Sequence, residues 1–91
     1  QDKVSMGTIA ARDALRSLEL TEQVAAATLL AANQGVWLRL RDGKSDLPAP
    51  VAAMHEQLAT DFAPVIEDRA LEGELRLCLE RIRSQHWRLY A

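Results

Sequence analysis

The spacing of apolar residues along the chain predicts helices in four segments. In the first, about residues 6–18, apolar side chains fall on one face and charged side chains fall on the opposite face. The second, about 21–41, begins at Thr21, a residue type that caps helices, and ends at Asp42-Gly43, where glycine favours a stop. Only Glu19 and Leu20 separate the two segments, so the pattern leaves open whether they are two helices or one long kinked helix.

Two shorter helices are predicted after a loop. Residues 42–50 gather Gly, Ser, Asp and two prolines, a composition typical of loops. Apolar residues then recur at helical spacing from Pro50, which suits a first helical position, to about Thr60. A break around Pro64 precedes a fourth helix, about 70–85, with an apolar stripe and an opposite face of acidic and basic residues. Because aromatic and β-branched residues are sparse, the sequence predicts an all-α fold.

The second helical segment has almost no polar face. Val24 to Leu38 carries no charged residue, and its polar side chains are Thr28, Asn33 and Gln34. Its length, about 15 residues or about 22 Å, is too short to span a bilayer. A helix that is apolar all round must be covered all round, and the other helices of this chain are too short to do so. We therefore expect the cover to come from another chain or from the rest of a larger protein.

Composition and charge narrow the class of protein. The chain of 91 residues is 48% hydrophobic and 26% charged, which indicates one globular domain at most. A net charge of −2 argues against nucleic acid as a partner, since phosphate binding needs a basic excess. The sequence shows no signal peptide. The lone Cys78 excludes an internal disulfide, which fits a reducing cytoplasm, and its leucine neighbours favour a buried core residue over a catalytic thiol.

Few residues combine into a catalytic or metal-binding pattern. His55 and His86 are far apart and lack carboxylates at ligand spacing, so no metal site is predicted. The glycines are isolated, which excludes a phosphate-binding loop. Trp37 and Trp87 are better explained by packing than by a ligand box. The polar start of the chain, Gln1 and Asp2, precedes a helix whose first amide groups have no partner within the helix, but from the residues alone a solvated terminus explains it better than a site.

Three motifs give the chain a resemblance to a known family. They are Gln-Asp-x-Val-Ser-Met-Gly at 1–7, Leu-Ala-Ala-x-Gln at 30–34 and Pro-x-x-x-Asp-Arg-x-Leu at 64–71. Together they resemble the C-terminal part of the aromatic amino acid ammonia-lyases, a family that includes the histidine, phenylalanine and tyrosine enzymes and related 2,3-aminomutases. The resemblance covers nearly the whole chain, which corresponds to only the last portion of such an enzyme. It implies core bundle helices over about 1–42 and outer helices over about 43–91.

The resemblance also implies a catalytic apparatus that this chain does not carry. The family is one of cytoplasmic homotetramers whose electrophile, a methylidene-imidazolone (MIO), forms from an internal Ala-Ser-Gly and captures the substrate amine, while a tyrosine removes a β-proton. No serine of this chain precedes a glycine, and Tyr90, its only tyrosine, stands at the wrong end. We therefore expect no catalytic residue here and no activity from these residues alone. The implied partners are the rest of the enzyme chain, the other subunits and a small amino acid, without nucleic acid or membrane.

One residue is assigned to substrate binding by the resemblance. Histidine enzymes typically have Glu at the position of Gln1, whereas tyrosine and phenylalanine enzymes typically have Gln, an amide that donates as well as accepts hydrogen bonds. Gln1 therefore favours tyrosine or phenylalanine as the substrate of a lyase or an aminomutase. Two alternatives stay open: a histidine ammonia-lyase, and a non-enzymatic helical module whose apolar helix docks on a partner.

Overall fold

Three helices form the part of the chain that the computed structural model describes, residues 5–43 and 46–87. They are α1 (Met6–Arg41), α2 (Ala49–Asp61) and α3 (Glu72–Arg83), and these ranges contain no strand. Both shorter helices pack against α1. The predicted all-α class is thereby confirmed.

The first two predicted helices are one continuous helix, α1. Of the two alternatives that the pattern leaves open, the structure has the single long helix, and Thr21 does not cap a second one. Its hydroxyl donates instead to the Ser17 carbonyl oxygen at 2.8 Å, inside the helix. Neither glycine nor proline interrupts this region, so nothing stops the helix from propagating. The predicted stop is confirmed, because Asp42 caps the helix and Gly43 takes a φ of +83°.

The two shorter helices begin and end close to the predicted positions. α2 begins at Ala49, one residue before the predicted Pro50, and the Phe62 N–H closes it on the Leu58 carbonyl oxygen at 2.9 Å. α3 is shorter at both ends than the predicted 70–85. It stops at Arg83 because Ser84 caps it and Gln85 takes a left-handed φ of 54°.

A small core lies where α2 and α3 meet the middle of α1. Its buried hydrophobic residues are Ala26, Leu58, Phe62, Cys78 and Trp87. The small Ala26 lets α3 approach α1 closely, and the Cys78 thiol lies 3.6 Å from the Ala26 carbonyl oxygen. The prediction that Cys78 is a buried core residue is confirmed. Trp87 packs against Phe62, with ring centroids 6.4 Å apart, as the packing explanation for this tryptophan predicts.

The first half of α1 extends beyond this core. Every residue from Ser5 to Thr21 is exposed, including Leu15 at 62% and Leu18 at 56%. Val24, in the apolar segment that the sequence singles out, is 65% exposed. In residues 5–43 and 46–87, much of the long helix is therefore left uncovered, as the sequence predicts. The bare surface also reaches further than predicted, since the apolar face of residues 6–18 has no partner in the described ranges.

Candidate functional site

The start of α1 carries the first motif, of which the described ranges include Ser5, Met6 and Gly7. Gln1, the predicted substrate-binding residue, lies outside the described residues. Ser5 is the N-cap of α1: its backbone is extended and its hydroxyl oxygen accepts a hydrogen bond from the Thr8 N–H at 3.1 Å. The Met6 side chain is 80% exposed. The serine of the motif therefore sets where the helix begins, and the methionine faces outward.

The electrostatics of this helix start favour a negatively charged or electron-rich group. The first amide groups of a helix point along its axis and give this end a partial positive charge. The first turn of α1 contains no acidic side chain that would offset this charge. The Ser5 carbonyl oxygen already accepts hydrogen bonds from the Thr8 N–H at 3.0 Å and the Ile9 N–H at 3.2 Å. The helix start can therefore orient a polar group placed directly before it.

The second motif supplies a side chain that binds backbone. Gln34 lies on α1, and its amide nitrogen donates to the Val65 carbonyl oxygen at 2.8 Å. Its amide oxygen accepts from the Val65 N–H, also at 2.8 Å. The glutamine thus pairs with both polar groups of one residue, as a neighbouring β-strand would. This contact fixes the chain between α2 and α3 onto α1.

The residue beside it, Asn33, ties α1 to α2. Asn33 is 7% exposed, and its amide oxygen lies 2.7 Å from the His55 Nδ1. A buried amide needs such a partner, because leaving it unsatisfied costs about 1–3 kcal/mol. The two polar residues in the middle of the apolar segment are thus explained as inward-facing contacts.

The third motif places Arg69 at the centre of a second set of contacts. Its guanidinium donates to the carbonyl oxygens of Ala63 at 2.9 Å and Pro64 at 3.1 Å. It also pairs with the Glu74 carboxylate at 2.9 Å. Sequence reasoning marked Gln34 and Arg69 as motif residues but assigned them no role. The main-chain groups that both side chains bind lie in the same connection, between α2 and α3, which the structure alone reveals.

The titratable and nucleophilic groups are structural within the described ranges. Burial raises the pKa of the Cys78 thiol, so the thiolate is disfavoured and the residue is a poor nucleophile. In residues 5–43 and 46–87 no hydrogen bond joins a nucleophile to a general base, and no group of three His, Cys, Asp or Glu is arranged to hold a metal ion. Over the same ranges, no helix is long and apolar enough to cross a membrane.

Trp37 and Trp87 do not form a common box. The Arg41 guanidinium carbon lies 5.3 Å from the centre of the Trp37 ring, near the end of α1. Trp87 lies in the core, with the His86 ring edge-on at a centroid distance of 5.9 Å. Each tryptophan is explained by packing against its own neighbours, as the sequence predicts.

Comparisons with known proteins agree on one family. A model of the aromatic amino acid lyase family matches residues 1–60. Histidine ammonia-lyase from Homo sapiens is 40% identical over 85 residues, which covers 89% of this chain and 12% of the human protein. The Caenorhabditis elegans histidine ammonia-lyase is 40% identical over 84 residues, covering 92% of this chain and 12% of that protein. No solved structure matches the chain significantly. The chain therefore spans about 12% of the length of these curated relatives.

Proposed function

The chain belongs to the aromatic amino acid lyase family, and on that basis we propose that it is the C-terminal helical part of a full-length ammonia-lyase or 2,3-aminomutase. The observation that carries the proposal is the family match over residues 1–60, which includes the motif at the start of α1. The structure supports it by giving each motif a physical place: a helix cap at Ser5, and contacts between helices and loop at Gln34 and Arg69.

The bare half of α1 supports a place inside a larger assembly. Leu15, Leu18 and Val24 are each more than half exposed, a costly arrangement for a helix standing in water. We propose that residues 1–42 lie in the core bundle of a cytoplasmic homotetramer and that residues 43–91 form outer helices. In this arrangement the rest of the polypeptide and the neighbouring subunits cover α1.

The chemistry of an MIO electrophile would come from outside these residues. Such a group accepts the substrate amine and so makes loss or migration of ammonia possible. It forms from Ala-Ser-Gly, and no serine of this chain precedes a glycine, so the residues present do not fit its formation. These 91 residues are therefore inactive by themselves. Their contribution, as we propose it, is the start of α1 itself, a positively polarised helix end capped by Ser5.

The substrate is an aromatic amino acid, and we favour tyrosine or phenylalanine. Gln1 supports this choice, because its neutral amide matches the residue that the tyrosine and phenylalanine enzymes typically have there. Histidine is the second candidate, supported by the 40% identity with proteins named histidine ammonia-lyase. The histidine assignment fits these relatives at least as well as Gln1 fits tyrosine or phenylalanine, and the substrate panel decides between them.

The test is a substrate panel on the full-length protein. We expect deamination of tyrosine or phenylalanine, seen as absorbance of coumarate or cinnamate, or a β-amino acid seen by chromatography. Gln1→Glu is expected to lower kcat/KM for these substrates at least tenfold, about 1.4 kcal/mol of transition-state stabilisation. If histidine is the only substrate that reacts, and urocanate is the product, the assignment to tyrosine or phenylalanine is wrong and the assignment as a lyase stands.

A non-enzymatic module whose α1 docks on a partner is the competing function, favoured by the same exposed face. It predicts no product from tyrosine, phenylalanine or histidine. It also predicts a full-length sequence without an upstream Ala-Ser-Gly. Both results together would overturn the proposed enzyme.

A further inference from the structure

We propose that the connection between α2 and α3, residues 62–71, is a docking element, here called the bracket. It presents Ile66 to an apolar socket with basic side chains at its rim, on the part of the full-length protein outside this chain. The proposal rests on the proposed function only in assuming a larger protein. It concerns an interaction surface that the motifs do not assign.

The bracket is held rigid by side chains from both directions. From α1, Gln34 makes two hydrogen bonds to the main chain of Val65, each 2.8 Å long. From within the connection, Arg69 donates to the main-chain oxygens of Ala63 and Pro64 and pairs with Glu74 of α3. Exposed loops rarely receive so many fixed contacts, because their main-chain groups can bind water instead. The bracket therefore holds one conformation without a partner.

Both ends of the bracket are anchored. Phe62 is 2% exposed and belongs to the core. Leu71 is half-buried and lines a groove of about 310 Å³ between α1, the bracket and α3. The contacts thus extend from Phe62 to Val65 and from Arg69 to Leu71, and the tip at residues 66–68 stands between them.

The tip carries a large apolar side chain in water. Ile66 is 77% exposed, and Val65 beside it is turned inward. An apolar residue held rigidly at an exposed tip is typical of an interface anchor, since docking it costs little conformational entropy. No contact with this chain's own core explains an isoleucine at this position.

The charges beside Ile66 indicate what surrounds the socket. Glu67 and Asp68 follow directly and are both exposed. Over the described ranges Arg69 pairs with Glu74, and neither Glu67 nor Asp68 takes part in an ion pair. An apolar anchor followed by two carboxylates matches a pocket with Lys or Arg at its edge, because opposite charges orient the approach.

The occupant is assigned to the remainder of the polypeptide by the extent of the similarity. The match to the human relative covers 89% of this chain but only 12% of that protein. Any stretch that covers so much of the chain includes the bracket, so the bracket belongs to the shared region. Under the proposed function this chain is a similarly small share of its full-length protein, and the remainder is large enough to provide a socket.

Thiol labelling of the full-length protein tests the socket. Ile66→Cys replaces the isoleucine with a smaller side chain that carries a reactive thiol, and its labelling by a maleimide is followed by mass spectrometry of the bracket peptide. Labelling of the unfolded protein defines full exposure, and the buried Cys78 serves as an internal protected reference. We expect the introduced thiol to react at least about tenfold more slowly in the native protein than in the unfolded protein. Equal rates would show that Ile66 stays in solvent and would overturn the proposal.

A second variant tests the basic rim. Asp68→Asn, added to Ile66→Cys, is expected to raise the labelling rate severalfold and to weaken its dependence on salt. An unchanged labelling rate at position 66 would show that no basic side chain faces Asp68, and would contradict the basic rim. Ala59→Cys, at an exposed position of α2, is the matched control for any general loosening, and Asp68→Asn should leave its labelling unchanged.

Activity measured on the same preparations separates this proposal from the proposed function. Protection at position 66 without lyase or aminomutase activity would keep the docking element and refute the enzyme. Lyase or aminomutase activity together with unprotected labelling at position 66 would support the enzyme and refute the docking element.

Discussion

At the scale of single residues, polar side chains inside an apolar helix define how this chain folds. Asn33 and Gln34 stand out in the sequence as polar residues in the uncharged segment of α1, but the sequence does not reveal their partners. Asn33 binds His55, 22 positions away, and Gln34 binds Val65, 31 positions away. Periodicity reports which face a residue occupies, whereas a contact across such separations depends on the tertiary packing.

Replacing Gln34 should release the bracket from α1. Gln34→Leu keeps the size of the side chain but removes both hydrogen bonds to Val65. Each bond contributes about 0.5–1.5 kcal/mol, so we expect the Val65 amide hydrogen to exchange at least about fivefold faster. Hydrogen exchange followed by mass spectrometry measures this.

The control for that variant is Gln57→Leu, on the exposed surface of α2. It makes the same chemical change where the described ranges show no hydrogen bond from the side chain, and exchange in the bracket should stay as it was. If both variants behave alike, Gln34 does not hold the bracket.

At the scale of elements, local signals predicted where helices exist better than where they begin. The apolar spacing gave all the helical segments, and the Asp42-Gly43 stop was correct. The cap signal at Thr21 was misleading because a threonine hydroxyl satisfies a carbonyl within a helix as readily as an amide at its start. The sequence predicted that Cys78 is buried, but the partners it packs against and the bracket could not be predicted, because they depend on how α2 and α3 are placed on α1.

Two glycines should respond oppositely to the same substitution. Gly43 has a φ of +83°, so Gly43→Ala is strained and should cost about 1 kcal/mol, which speeds amide exchange in the last turn of α1 about fivefold. Gly73 is helical with no atom within 4 Å of an added Cβ, so Gly73→Ala should slow exchange in the first turn of α3. Equal effects of the same sign would contradict the backbone argument. Hydrogen exchange of the full-length protein measures both.

At the scale of the whole molecule, the chain is a long helix with a core on one part of it. The described part measures 66 × 33 × 18 Å, and its long dimension reflects α1 reaching beyond α2 and α3. The sequence predicted a helix without enough cover, and it could do so because hydrophobicity and charge need no tertiary information. Within the described ranges no residue covers the first half of α1, and under the proposed function the cover comes from the rest of the protein.

The most direct test of the account is amide exchange along α1 in the full-length protein. A helix half without packing partners exchanges readily, because its hydrogen bonds alone are marginally stable in water. If the rest of the protein covers α1, Met6–Leu20 should exchange as slowly as residues 26–34, the stretch of α1 that packs on this chain's own core. Exchange of Met6–Leu20 near the rate of an unfolded chain, beside a protected core, would contradict the claim that this helix belongs inside a larger enzyme.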